Sequence, residues 1–396
     1  MSKLTQLLRP LASAAIFYYA SMWLAFLVVV GTIAQKYFGL HASLGKYFSS
    51  WLIQPMEMPI FLPGGRLTMA VIAICLATKI IIATKWKFKM LGINITHLGV
   101  LLLMIGGLIT AYTTTEGNIA IKEGTSASTY SDFHALELAV TDHSPSDHDA
   151  VTTFTDGFFV GSNQTPFSDS ATPATFQILH FFKNCETAEG ATPQPSAVGD
   201  PKDGSHTLKA PATRIHLNEK PTDKDDRNLG GMLIRISGMS AASNGTYLLL
   251  AHPEWPALTL TSTEGATYTV NLRHRQYMLP FSIHLKDFEK LDHAGTSMAR
   301  AFSSKITVTQ GASSEDMKIY MNHPLRRDGF TIYQASFSQV GVETSVFQVV
   351  HNKGQIVPYI AIVIITAGLL LHVILQIPRL IVAAQSKRKI PTNPAS

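Results

Sequence analysis

Four long apolar runs constrain this chain more than any other feature. Leu11–Ala34 is 24 residues without a charge, and Leu67–Ala83 is 17 residues with Lys79 as the only charge. Leu91–Tyr112 and Ile356–Ile377 are 22 residues each, and each holds one histidine, His97 and His372. A helix needs about 20 apolar residues to cross the hydrocarbon core. In lipid, only segments that close their own backbone hydrogen bonds are stable. The runs therefore predict an integral membrane protein with four transmembrane helices. Charged residues are 15% of the chain, against about 25% in average soluble domains. A small soluble enzyme, a fibrous protein and a disordered chain are excluded. Leu11–Ala34 is too long and too aromatic for a signal peptide and is expected to be retained.

Charge at the span ends predicts orientation. Lys3 and Arg9 precede the first run, Lys85, Lys87 and Lys89 lie between the second and third, and Arg379, Lys387, Arg388 and Lys389 follow the fourth. These nine cations, with no acid among them, predict that both termini and the second loop are cytoplasmic. The chain is then a multi-pass membrane protein with a large extracytoplasmic domain. Lys79 is expected to snorkel to the same side. The net charge of +5 misleads, because residues 114–356 carry 19 basic and 26 acidic residues. The basic surplus belongs to the membrane flanks, so no nucleic-acid partner is expected.

The expected organisation has three parts. Residues 1–113 hold three transmembrane helices, with an interfacial amphipathic helix at about 41–54, where Leu44, Tyr47, Phe48, Trp51 and Leu52 share one face. Residues 114–356 form a β-rich extracytoplasmic domain. Its short runs of alternating or β-branched residues are 117–122, 134–141, 208–217, 231–238, 245–251, 258–262, 266–273, 279–285, 304–309, 317–321, 329–337 and 343–350. Turn residues such as Asn244-Gly245 and Asp328-Gly329 separate them. Residues 142–210, rich in Ser, Thr, Asp, Gly and Pro around a patch at Phe176–Phe182, read as a loop-rich insertion. Asn163 and Asn244 head glycosylation-type triplets, which are common by chance. Residues 357–396 hold the fourth helix and a basic tail.

Chemistry concentrates on histidine. The two cysteines, Cys75 and Cys185, form neither a CxxC pair nor a CxxCH haem-attachment motif. No phosphate loop, catalytic triad or carboxylate dyad is present, so no catalytic residue is assigned. His97 and His372 lie in predicted spans, where ionisable groups are costly and point to function. At 1.5 Å per residue both fall roughly 7–9 Å into the cytoplasmic half. Two facing imidazoles there would suit axial ligation of haem iron. The bland alternative is a hydrogen bond from each ring to a neighbouring helix, with Asn94 and Gln376 one turn away as partners. His351, just before the fourth span, is a further candidate for contact with a cofactor leaving the bilayer. His143 and His148, among Asp142, Asp147 and Asp149, read as a solvated loop rather than a cation site. Thr96, Gly99, Gly106 and Thr110 form a small-residue face on the third span, with Gly92 and Gly107 beside it, which suits close helix packing.

Several strings, in this order, resemble the ResB/CcsB family of System II cytochrome c maturation. They are Leu62-Pro-Gly-Gly-Arg-Leu-Thr68, Leu91-Gly-Ile-Asn-Ile-Thr-His-Leu-Gly99 and Glu116-Gly-Asn through Glu123-Gly124. The outer domain adds Leu279-Pro-Phe281, Leu285-Lys-Asp-Phe288, Gly295-Thr296, Phe302-Ser-Ser304, Asn322-His-Pro-Leu325, Gly329-Phe and Tyr333-Gln-Ala-Ser-Phe337. The resemblance implies a role in carrying haem b across the membrane and presenting it for attachment to CxxCH of apocytochrome c. It implies a CcsA/ResC-type, Trp-rich membrane partner, since this chain has only Trp23, Trp51, Trp86 and Trp255. It also implies that His97 is a haem-iron ligand paired with a histidine of that partner, while His372 matches no family string. The chain would act as a subunit of a cytochrome c haem lyase, with a separate thiol-reducing pathway supplying reduced cysteines. Two other readings stay open: a colourless membrane-anchored scaffold for envelope assembly, and a haem-b electron-transfer subunit with both ligands in this chain.

Overall fold

In the computed structural model the chain divides into two compact units, Met1–Thr115 with Val350–Ser396, and Glu116–Val349. The structure describes residues 9–55, 59–84, 86–145, 148–161, 164–189, 215–219, 228–253, 255–296, 299–338 and 342–388. Residues 208–214 of one expected strand, residues 190–210 of the expected insertion, and Lys3, Lys85, Asp147, Asn163 and Lys389 lie outside the described residues.

In the first unit four helices are long and apolar enough to cross a membrane: Ala14–Phe38, Gly65–Ile82, Phe88–Thr113 and Ile356–Pro378. Their α-helical parts are α1 (Ala14–Phe38), α2 (Gly65–Thr78), α3 (Leu91–Thr113) and α4 (Ile356–Arg388). The Ser13 hydroxyl caps α1 by accepting from the Ala15 amide at 3.3 Å. A π-helical turn, Lys79–Ala83, prolongs α2. The helices associate mainly as α1 with α2 and α3 with α4. Large apolar side chains such as Tyr19, Ile33, Leu108, Val363 and Ile374 are exposed on the helices, as suits contact with lipid.

The α3–α4 pair is built on glycines seven residues apart. A Cβ on Gly92 would lie 2.3 Å from the His372 nitrogen, one on Gly99 2.7 Å from Ile365 Cγ1, and one on Gly106 2.7 Å from Val357 Cγ1. From the other side, a Cβ on Gly368 would sit 2.6 Å from both Thr96 N and Oγ1. The contacts descend one helix as they climb the other, so the pair is antiparallel. Small residues permit this approach, and a seven-residue period keeps one seam facing the partner helix. The small-residue face of the third span is thus used within this chain. Gly107 is the exception, with nothing within 4 Å of its Cβ position.

The segment expected as one interfacial helix at 41–54 is broken. A one-turn helix, Leu40–Ser43, runs into a π-helical turn, Leu44–Phe48. After it, β1 (Leu52–Ile53) pairs with β2 (Leu62–Pro63). Backbone hydrogen bonds explain the break: Gly64 N donates to Trp51 O at 2.9 Å and Arg66 N to Ser50 O at 3.1 Å. The two glycines of Leu62-Pro-Gly-Gly are required by proximity. A Cβ on Gly64 would lie 2.3 Å from Ser50 O, and one on Gly65 2.6 Å from Phe48 Cα. The Trp23 indole donates to Pro63 O at 2.9 Å and fastens α1 to this turn.

The second unit is β-rich. Its strands, with the ends that reach the first unit, are β3 (Thr115–Lys122), β4 (Ser126–Asp142), β5 (Ala150–Thr155), β6 (Phe167–Ser168), β7 (Thr175–Phe182), β8 (Cys185–Glu189), β9 (Ile215–Glu219), β10 (Gly231–Ser237), β11 (Gly245–Leu250), β12 (Leu258–Thr261), β13 (Thr267–Asp292), β14 (Ala299–Gln310), β15 (Ser313–Tyr320), β16 (Leu325–Arg327), β17 (Phe330–Ser338) and β18 (Thr344–His351). The large sheet runs β15-β14-β13-β4-β3-β18-β17-β16, with β12 on β13 and β5 on β4. A second sheet runs β11-β10-β7-β6, and β8 pairs with β9. The runs 266–273 and 279–285, expected as two strands, are one strand, β13, carried through register shifts at His274/Gln276 and Met278/Ile283. Such bulges bend a strand without ending it.

The bend gives the unit two cores. The first half of β13 and the second half of β4 pack Leu136, Leu138, Val140, Val270 and Leu272 against Phe176, Ile178, Met232, Ile234 and Leu249 of the second sheet. The second core joins Ile119, Ile283, Leu285, Ile306, Ile319, Leu325, Ile332 and Phe347, so both ends of the large sheet contribute to one cluster. Residues 142–189 correct the loop-rich expectation. They supply β5 to β8 and a six-residue helix, Asp156–Gly161. Phe154, Phe158, Phe167 and Phe176 make mutual ring contacts of 4.8–6.1 Å there. The second sheet is covered on its other face too, by Phe182, Cys185, Leu233, Leu248 and Leu250 under Trp255.

Candidate functional site

His97 lies half-buried in α3. Five residues at 3.6 per turn set it roughly 140° round the helix from Gly92, and therefore away from the seam that faces α4. Its ring feels the charge of Lys79, at the end of α2. One turn earlier, Asn94 is 3% exposed. The imidazole is thus not consumed by α3–α4 packing, and it is offered from a face next to α2.

His372 is placed differently. Its backbone rests on Gly92, so it is level with the start of α3 and roughly 7 Å along the axis from His97. Its Nδ1 is buried with no hydrogen-bond partner. Span lengths alone predict the two imidazoles at similar depth. Here they are neither level nor on one face, because the glycine seam fixes the axial register of the helices. This chain therefore does not bring the two rings together as one bis-imidazole site.

His351 is the last residue of β18 and is half-buried. Burial, and then the Lys353 charge, hold its imidazole below the ordinary value, which favours the neutral, ligand-competent form. His143 is engaged by Asp149 at 2.8 Å and by Thr269, and Asp142 turns inward to accept from Ser144 N at 2.8 Å. Among the described residues, no group of three His, Cys, Asp or Glu could hold a metal ion. Cys75 and Cys185 are buried free thiols.

The outer strings, scattered in sequence, converge in space. Phe288 and Phe302 each stack near Phe337, at 5.2 and 5.3 Å, and the Lys290 ammonium lies 5.6 Å over the Phe337 ring. Beneath them, Ser304, Ser345 and Gln334 form a buried hydrogen-bonded triangle of 2.7–2.9 Å. These strings lie far apart in sequence, and no local pattern in it signals that they meet. The pairing of β14 with β13, and the place of β17 beside β18, bring them together.

Residues 242–346, which contain this convergence, match the model of the ResB-like family. A curated relative, "Cytochrome c biogenesis protein CcsB" of Synechococcus sp. (strain CC9902), is 28% identical over 146 residues, 35% of this chain and 34% of that protein. The match spans about one third of the relative's length. The four apolar helices accord with a membrane protein. Ordered strings, family model and relative point the same way, and over residues 242–346 the chain is similar to the ResB-like family.

Proposed function

We propose that this chain is the ResB/CcsB-type subunit of a cytochrome c synthetase, helping to carry haem b across a bacterial inner membrane and to present it for attachment to CxxCH of apocytochrome c. Haem is cargo in this reading. The single observation that carries it is the placement of His97: an imidazole in a membrane helix, held off the α3–α4 seam and so accessible to a ligand. One nitrogen donor from this chain leaves the second axial position of iron to a CcsA/ResC-type partner. The nine cations at the span ends support cytoplasmic termini and an extracytoplasmic β domain. The chain's work is then positional: His97 ligates and orients the iron, the helices exclude water around it, and the haem carries the chemistry. Thioether formation also needs reduced client cysteines. The two thiols here are buried and far apart in sequence, which supports a separate thiol-reducing pathway.

The separation of His97 and His372 counts against a self-contained haem-b electron carrier, which needs two ligands from one chain. Co-expression with the Trp-rich partner and a CxxCH client tests the proposal. Wild type should yield covalently haem-stained cytochrome c and His97→Ala little or none. Equal staining with and without this chain would refute it.

A further inference from the structure

Lys79 is the only charge in the apolar run Leu67–Ala83, and it is half-buried. The unit that holds it has almost nothing to balance that charge. Residues 1–115 and 350–396 contain one acidic side chain, Glu57. In the chain, the whole of α2, about 20 Å of helix, stands between Glu57 and Lys79. A lysine in a membrane helix is stable only with an anion or water at its ammonium.

The helices bring this cation to His97. The Arg66 guanidinium lies 5.4 Å over the Tyr112 ring and ties the start of α2 to the end of α3. From there, thirteen residues of α2 descend roughly 20 Å to Lys79, and fifteen of α3 roughly 22 Å to His97. At 1.5 Å per residue the two side chains are level to within about 3 Å. Tyr112 and His97 are roughly 60° apart round α3, so both lie on the side that α2 occupies. The turn that begins at Lys79 packs against α3, and the His97 ring feels the lysine charge. That turn, Lys79–Ala83, is π-helical, a rare geometry that recurs at functional sites. The Thr84 hydroxyl donates to Lys79 O at 3.0 Å and fixes the backbone from which the side chain departs.

We infer that Lys79 is a propionate anchor: with haem iron on the His97 imidazole, one propionate pairs with the Lys79 ammonium and turns that edge of the porphyrin toward the end of α2. The inference rests on the reading of His97 as iron ligand and adds to it a residue that orients the haem. Neighbouring helices pack about 8–10 Å apart, a span comparable with the reach from haem iron to a propionate carboxylate. A propionate supplies the anion that the sequence of this unit lacks. The competing anion is a lipid phosphate at the membrane surface, toward which a lysine stem also reaches.

The test uses the full-length chain in phospholipid-free detergent, titrated with ferric protoporphyrin IX and, separately, with its uncharged dimethyl ester. Wild type should bind protoporphyrin about 10-fold more tightly than the ester, the worth of one hydrogen bond between charged groups. Lys79→Gln should weaken protoporphyrin by the same factor, leave the ester unchanged and keep the Soret position, because His97 still holds the iron. Lys79→Arg should recover most of the loss. Equal affinity of wild type for the two porphyrins, or a Lys79→Gln loss that is absent or common to both, would overturn the anchor and leave Lys79 to lipid phosphate. The His97 reading then stands if His97→Ala abolishes the shifted band. A wild-type band retained in His97→Ala, or no uptake by wild type, would overturn both.

Discussion

Replacing Gly99 by alanine should loosen the α3–α4 pair, whereas the same change at Gly107, eight residues on, should not. A methyl at Gly99 would meet Ile365 Cγ1 at 2.7 Å and Ile365 N at 3.0 Å, while one at Gly107 would meet nothing within 4 Å. Both sites are in the interior of one helix, so alanine's gain in helix propensity, about 0.8–1 kcal/mol, is common to both. The difference between the variants isolates the packing term, which for an extra methyl in a filled interface is about 1–3 kcal/mol. Gly92→Ala should cost more than Gly99→Ala, because its contact at 2.3 Å is with helix backbone. Titration with SDS in mixed micelles, followed by a dye pair attached at the ends of α3 and α4, measures the separation of the two helices. Gly99→Ala should shift the midpoint down and Gly107→Ala hold or raise it. Equal shifts within about 0.5 kcal/mol would show that the glycine seam is not the interface.

The outer unit supplies three further tests. Glu137 is 2% exposed and accepts from Arg273 Nε at 2.8 Å; Arg273→Ala should cost about 3–5 kcal/mol by stranding a buried carboxylate, and Glu137→Leu with Arg273→Leu far less, as denaturant melts of the full chain would show. Lys305 and Lys318 pull the Glu289 carboxyl from 4.5 to about 2. Because the folded value is the lower, this stability is present above about pH 4.5 and is lost as pH falls toward 2; Glu289→Gln should flatten the acid limb of the melting profile over that window. Burial pushes the Cys185 thiol up to about 11, so at pH 8 the native chain should label slowly there with a thiol reagent and rapidly once denatured, by mass spectrometry.

Much of this was legible in the sequence, and the exceptions have physical causes. The four apolar runs mark the helices because lipid leaves no other way to satisfy the backbone. The alternating runs mark the β domain for the same reason that strands alternate faces. Residues 142–189 escaped because β5, Ala150–Thr155, is short and polar in composition. Its weight lies in Phe154 against Phe158, Phe167 and Phe176, a tertiary contact with no local period. The helix expected at 41–54 failed because Gly64 and Arg66, a dozen or more residues on, claim the Trp51 and Ser50 carbonyls. At the site, His97 stood out through its cost in lipid. That His372 does not face it follows from register, which glycine spacing sets but composition does not reveal.

The central claim is that His97 ligates haem, and the visible spectrum tests it most directly. The chain would be purified from membranes with its Trp-rich partner, as wild type and as His97→Ala, from cells with adequate haem. The account predicts a low-spin haem-b spectrum in wild type that is lost or much weakened in His97→Ala. Two equally coloured preparations, or two colourless ones, would contradict it.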